Sequence, residues 1–284
     1  MTILILGHTG KIGSFLFEKL VRTEQSLITL GRSKNKSDIF YDFDKNEGDL
    51  HKLENLKIDL IINALGKLPK HKADKLAYSN ANINALKILQ KYFNINTEII
   101  QLSTISVYGE EVTNRAVKET DEIKPKNNYA ATKLQAEEFI IKNFRKHWIF
   151  RIPPVYSDLD DNILYKRVIL NRLVEVIFND DKQKHSYCSL SRIFEVIETG
   201  CIQNLLPYGV YNLADKKYFS IKQIKSRRKM HSFVKIPVNS GVFLKTRDLF
   251  RFLRIESISE KINEIHYKTC TSNLYSTDKL EKYI

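Results

Sequence analysis

The chain has 284 residues, enough for one large α/β domain with a smaller appendage, and its 43% apolar and 28% charged composition suits a globular protein with a sizeable core. Its cysteines, Cys188, Cys201 and Cys270, lack metal-ligand spacing and exclude both a zinc site and a disulfide framework, which points to a reducing, cytoplasmic setting. The formal charge of +13 is spread along the chain, only Lys225 to Lys229 forming a basic run without interleaved aromatics, so nucleic acid is not an expected partner; no run reaches the ~20 apolar residues of a membrane span.

Thr2 to Leu6 is apolar with no basic region before it, which predicts a buried strand and not a signal peptide. Gly13 to Val21 predicts a helix whose Ile12, Phe15, Leu16 and Leu20 share a stripe. Between them lies Gly7-His8-Thr9-Gly10-Lys11-Ile12-Gly13, a G-x-x-G-x-x-G loop. Its glycines permit a tight turn, close approach of backbone to a pyrophosphate, and packing of helix on strand, while the helix N-terminus offers free N–H groups to phosphate. Gly7, Thr9, Gly10, Lys11, Ile12 and Gly13 are therefore candidate dinucleotide ligands. Ser26 to Leu30 predicts a second strand ending at Gly31-Arg32-Ser33. An acidic residue there selects NAD through the ribose hydroxyls, whereas an arginine accommodates the 2′-phosphate of NADP, so Arg32, helped by Lys34, favours NADP over NAD. Ile39 to Tyr41 predicts a third strand, Asp49 to Leu56 a helix, and Asp59 to Gly66 a fourth parallel strand. Ala64, Leu65 and Gly66 stand at its C-terminal end, where open α/β sheets bind ligands. Ala73 to Tyr92 predicts a long helix with Leu76, Ile83, Leu86 and Leu89 on one side.

The chemistry centres on Tyr129-Ala130-Ala131-Thr132-Lys133. In a helix predicted over Asn128 to Phe144, Tyr129 and Lys133 are one turn apart on one face. A phenol of ordinary pKa ~10 needs its phenolate stabilised to exchange protons near neutrality, which a neighbouring ammonium does by Coulomb attraction. Thr104 follows an apolar strand, Glu98 to Leu102, where its hydroxyl can hold the oxygen of a reacting carbon beside that tyrosine. Trp148 to Arg151 predicts a sixth strand, Gly209 to Ala214 a strand returning to the main domain, and Ser220 to Ile224 the start of a helix.

The glycine loop, the twenty-five-residue interval from Thr104 to Tyr129 and the Tyr-x-x-x-Lys pair together resemble the extended short-chain dehydrogenase/reductase family, the branch acting mainly on nucleotide sugars. The resemblance is specific over residues 1–157 and loose beyond. It implies an α/β, Rossmann-like doubly wound parallel sheet over 1–157, with a return near 209–214, and a smaller C-terminal substrate-binding lobe over 158–284. By the same resemblance Asp42 and Phe43 flank the adenine, Asn82 touches the cofactor and Pro153 lies in a turn under the nicotinamide. Lys133 bonds the nicotinamide ribose, and Asn162 and His185 lie near the sugar nucleotide. The Asp-Glu pair that 4,6-dehydratases carry after the threonine is here Ile105-Ser106, neither ionisable, which argues against dehydration. Arg32 and the Pro153-Pro154 turn favour reduction of a 4-keto nucleotide deoxysugar in surface-polysaccharide synthesis. The alternatives are a 4-epimerase with tightly bound NAD and a non-catalytic NADP-binding regulator. Homodimerisation through the catalytic helix is implied by kin alone.

Overall fold

The computed structural model describes residues 1–66, 78–109, 115–157, 184–220, 223 and 272–284, with the backbone of short strands at 169–171, 174–178 and 234–238 and positions 245 and 248. The chain builds one eight-stranded sheet. Its strands are β1 (Thr2–Leu6), β2 (Ser26–Gly31), β3 (Ile39–Asp42), β4 (Glu47–Gly48), β5 (Leu60–Asn63), β6 (Glu98–Thr104), β7 (His147–Ile152) and a returning strand, Gly209–Asn212. Their spatial order is returning strand, β7, β6, β5, β1, β2, β3, β4. Every neighbouring pair is parallel except β3 with β4.

β1 explains the layering. Ile3, Leu4, Ile5 and Leu6 are all wholly buried because each face of the sheet is covered, and side chains alternate between faces. Ile3 and Ile5 join one core with Leu16, Leu20, Trp148, Phe150 and Ile193. Leu4 and Leu6 join the other with Leu30, Leu86, Ala136, Ile140 and Ile149. At ~1.5–3 kcal/mol for each fully buried aliphatic side chain, these four residues make β1 the strand on which both cores are built. Helix α1 (Lys11–Leu20) contributes to the first core, while α2 (Ala85–Leu89) and α3 (Asn128–Asn143) contribute to the second.

From β1 the chain moves outward through β2 and β3, then returns to the opposite side of β1 as β5. The reversal leaves a crevice beyond the carboxyl ends of β1 and β5, the place where such sheets bind ligands. Gly7 ends β1 and Ala64-Leu65-Gly66 follows β5, so the two expected ligand-binding turns face one another across it.

Several expected elements take other forms. The segment from Asp49 is a 3₁₀ helix, Leu50–Asn55, with only Leu50 and Leu53 buried, so one i, i+3 pair decides its winding. The long helix is described from Tyr78 and is interrupted by a π turn, Asn80–Asn84, before α2 and a 3₁₀ turn at Gln90–Tyr92. Ser220 ends a two-residue strand, Phe219–Ser220, and also caps the expected helix start: its hydroxyl accepts the N–H of the helical residue Gln223 at 3.1 Å, and Gln223 Oε1 accepts the Ser220 N–H at 2.9 Å. The return to the main domain is wider than residues 209–214. Helix α4 (Leu190–Glu195) sends Leu190 and Ile193 into the first core, followed by Val196, Ile197 and Cys201, and Leu280 reaches the same core from the C-terminal segment. Leu76, Cys270 and the run Lys225 to Lys229 lie outside the described residues.

Candidate active site

The glycine loop adopts the shape its composition requires. Gly7 has φ +76°, which a side chain rarely tolerates, and a methyl group there would lie 3.0 Å from the Ala64 carbonyl oxygen. A methyl at Gly13 would lie only 2.3 Å from the Gly7 carbonyl oxygen, so α1 can start this close to β1 only with glycine. Gly10 is the N-cap of α1 and supplies no capping side chain, and the first turn carries no acid. Its N–H groups and the positive end of the helix therefore face the crevice. Thr9, Gly10 and Lys11 are exposed on the rim, Ile12 packs on the first core, and Lys11 Nζ donates to the Val155 carbonyl at 3.4 Å.

Arg32 lies beyond the end of β2 on the surface, with Nη1 donating to Asp44 Oδ2 at 3.4 Å. An exposed pair of this kind is weak, so the guanidinium can exchange partners. Lys34 Nζ stands 4.9 Å from the centre of the Phe40 ring. Asp42 accepts the Asp44 N–H at 3.0 Å. Phe43, expected beside adenine, is instead buried in the second core against Tyr41, because β3 alternation continues past Asp42 and turns its ring inward.

On the other side of the crevice, Asn63 accepts the Leu65 N–H at 3.1 Å and donates to Gln101 at 2.6 Å, fixing the turn at Ala64-Leu65-Gly66. Asn127 caps α3 by accepting the Ala130 N–H at 2.9 Å, which puts Tyr129 in the first turn and Lys133 one turn later. Thr104 is the last residue of β6 and caps the 3₁₀ turn Ile105–Tyr108. Its hydroxyl bonds the Tyr129 side chain and lies 3.2 Å from Ser106 Oγ. Burial raises the Tyr129 phenol above its ordinary pKa; the Thr104 hydrogen bond opposes this, and the Tyr78 side chain adds to it, its ring edge 6.1 Å from that of Tyr129.

Lys133 is only 4% exposed, and Nζ donates to the carbonyls of Leu65 at 3.1 Å and Leu102 at 3.0 Å. Burial brings its pKa down to about 8, opposed by the negative charge of Glu137. Two of the three ammonium hydrogens of Lys133 thus serve a carbonyl after β5 and one in β6. Across Gly66 stands Asn82, whose Nδ2 donates to Thr132 at 3.0 Å and whose buried Oδ1 has no partner among the described residues. A methyl at Gly66 would meet Lys133 Nζ at 3.0 Å and Asn82 Oδ1 at 3.5 Å, so a cation and an unused acceptor converge on that glycine.

Behind these groups lies a polar network that reading the sequence missed. The Glu137 carboxylate accepts the Ser103 hydroxyl and, from Arg151, Nε at 3.1 Å and Nη2 at 2.8 Å. Arg151 also donates to the Tyr108 hydroxyl at 3.0 Å, which donates to Asn212 Oδ1 at 2.7 Å. Burial drives the Tyr108 phenol up to about 12 against the pull of Arg151. The available signals were an acid continuing the Tyr129, Lys133 stripe by four residues and an arginine inside an otherwise apolar strand.

The remaining expected residues divide. Pro153 is buried just past β7, and its neighbour Pro154 accepts the Cys188 N–H at 3.2 Å. His185 is wholly buried, its Nδ1 3.4 Å from Asn273 Nδ2, in a short strand paired with Phe219–Ser220. Its ring also packs 6.5 Å from that of Tyr187. Asn162 lies outside the described residues. Among the described residues no group of His, Cys, Asp or Glu could hold a metal, and no helix is long and apolar enough to cross a membrane.

A parallel sheet with its glycine turn at the strand-order reversal, and a threonine, a tyrosine and a lysine gathered beside it, define the fold and site arrangement of the extended short-chain dehydrogenase/reductase class. Within it, the chain belongs to the family described as RmlD substrate binding domain, whose model matches residues 1–216. Solved structures share the fold. The UDP-glucuronic acid 4-epimerase from Bacillus cereus in complex with NAD is 24% identical, covering 84% of this chain and 87% of its own, at TM-score 0.64. The dTDP-4-dehydrorhamnose reductase from Bacillus anthracis in complex with NADP is 19% identical, with 85% of each chain covered, at 0.65. The UDP-Glc/GlcNAc 4-epimerase from Campylobacter jejuni is 17% identical, covering 99% of this chain and 92% of its own, at 0.70. Among curated protein sequences nothing matches the chain.

Proposed function

We propose that the protein is an NADP(H)-linked reductase of a 4-keto nucleotide deoxysugar. The observation that carries this reading is the placement of Thr104 at the end of β6 and of Tyr129 and Lys133 on the first turns of α3, beside the glycine turn, in a chain of this family with Arg32 just past β2. A ketone being reduced needs a proton donor, and a phenol, with an ordinary pKa of ~10, is one near neutral pH; the arginine at the end of β2 favours NADP, the cofactor that suits reduction. The residues present fit a dinucleotide. The glycine turn leaves room where a methyl would clash, the open α1 terminus suits a diphosphate, and Lys133 Nζ with Asn82 Oδ1 offers a donor and an acceptor to ribose hydroxyls. When bound, the nicotinamide supplies the hydride. Thr104 orients the substrate oxygen, Tyr129 gives it the proton, and Lys133 supplies positive charge nearby. Gly7, Thr9, Gly10, Lys11, Ile12 and Gly13 cradle the diphosphate, and Arg32 meets the 2′-phosphate. Residues 158–284 contribute most of the sugar-binding lobe, in a cytoplasmic enzyme that pairs through α3, where Ile141 is 50% exposed.

The test is a panel of UDP- and dTDP-linked 4-keto sugars with NADPH oxidation as readout. Reduction of one of them is expected; protein that purifies with stoichiometric NAD, ignores NADPH and inverts a 4-hydroxyl would make it an epimerase. The same assay reports Lys133. Since the ammonium is the working form and its pKa is about 8, turnover should hold below that value and fall as pH rises through it. Lys133→Arg, charged throughout, should remove this alkaline limb from whatever activity it retains; an unchanged limb would assign it to another group.

A further inference from the structure

His8 occupies the first variable position of the glycine loop, yet its side chain does not point into the crevice. It is 7% exposed and tucked under the segment that follows β2. Nε2 lies 2.7 Å from the Lys36 carbonyl oxygen; a carbonyl only accepts, so Nε2 carries the hydrogen and donates. The ring leans on Phe17 of α1, with centroids 6.1 Å apart. Its other edge fills the space a side chain at Gly31 would need: a methyl there would lie 3.2 Å from His8 Cε1, 3.4 Å from Nδ1 and 3.1 Å from Ser37 Oγ.

The segment so held, residues 32–37, begins with Arg32. Its turn is closed by the Lys36 and Ser37 N–H groups donating to the Ser33 carbonyl, each at 3.1 Å. Its far end is tied to β2 by Asp38, whose Oδ2 accepts the Thr29 N–H at 2.8 Å and hydroxyl at 2.7 Å. Ahead of that tie, the Lys36 carbonyl bonds the buried His8 side chain. Arg32 itself has a surface partner, Asp44, and does not hold the segment in place.

We infer that His8 is a positioning residue for dinucleotide choice: from within the diphosphate cradle it clamps the Lys36 carbonyl and sets where Arg32 stands relative to the adenosine ribose. The inference rests on the proposed NADP reading. It differs from a packing role because a residue that only shapes the glycine turn affects NADH and NADPH alike, the diphosphate being common to both. Positioning of Arg32 affects NADPH alone.

The experiment is equilibrium titration of the full-length protein with NADPH and with NADH, followed by nicotinamide fluorescence, for wild type, Arg32→Ala, His8→Phe and His8→Gln. Phenylalanine keeps the ring against Phe17 and Gly31 but has no donor; glutamine places an N–H near the Nε2 position. His8→Phe is expected to weaken NADPH about tenfold and NADH less than about threefold, the scale of one hydrogen bond supporting a charged contact. His8→Gln should return the preference to within about threefold of wild type. Equal weakening of both nucleotides by His8→Phe, or no change, overturns the inference. If Arg32→Ala weakens both equally, the NADP reading itself fails; if it is selective while His8→Phe is not, only the positioning role of His8 fails. Should His8→Phe not fold, His8→Gln decides, since wild-type preference in it supports the Nε2 clamp and its loss refutes it.

Discussion

Replacing Tyr129 by phenylalanine is expected to lower turnover ~10²–10⁴-fold, the usual contribution of one positioned acid, and to leave NADPH affinity nearly unchanged. The substitution removes one oxygen atom. The ring remains in its place against Tyr78, the N-cap at Asn127 is untouched, and Lys133 keeps its two carbonyl partners, since none of these uses the phenolic oxygen. The Thr104 hydroxyl loses its tyrosine partner and keeps Ser106. Steady-state NADPH oxidation with the sugar nucleotide found in the panel, alongside NADPH titration, separates the two effects. Unchanged turnover would remove Tyr129 from the chemistry, whereas loss of both turnover and binding would mean that it builds the cradle.

Glu137→Gln is expected to have the largest effect on stability. The side chains of Arg151 and Glu137 are 5% and 1% exposed, so their charges have little water to fall back on. Neutralising the carboxylate leaves a buried guanidinium without its counter-charge, with one amide oxygen in place of two carboxylate oxygens beside the Tyr108 oxygen and the Glu119 carbonyl. Breaking a buried pair from one side costs ~3–5 kcal/mol, against a total of about 5–15 kcal/mol for a typical fold. Removing both charges is another matter: Glu137→Leu with Arg151→Met should recover most of the loss, because neither desolvation cost then remains. Urea denaturation of the three proteins measures this. A double variant no better than the single one would show that the Ser103 and Tyr108 bonds to the network, and not the charge balance, carry its contribution.

The parts read correctly from sequence share one property: local pattern and tertiary demand agree. β1 is a run of aliphatic residues because both sides of the strand are covered, and the glycine spacing follows from backbone that must approach backbone. Tyr129 and Lys133 come together through helix geometry alone. The misreadings arise where a distant segment decides. Phe43 looked available as a ligand residue, but the second core claims it. Glu137 and Arg151 each look like a surface charge in isolation, and only the fold makes them a pair.

The C-terminal segment has a consequence for how the protein is made. Asn212 Nδ2 donates to the Ser276 carbonyl, the Ser276 N–H donates to Val117, Arg192 pairs with Glu281, and Leu280 is wholly buried beside α4. Strands translated first thus share one packed interior with residues near position 280. On the ribosome, the sheet can pair through its last strand, Gly209–Asn212, before the segment around Leu280 arrives to cover the first core, so an apolar flank stays open in the interval. Clipping after position 270 would take Leu280 from the first core and Ser276 from Asn212 and Val117, and so would loosen the flank that carries the returning strand.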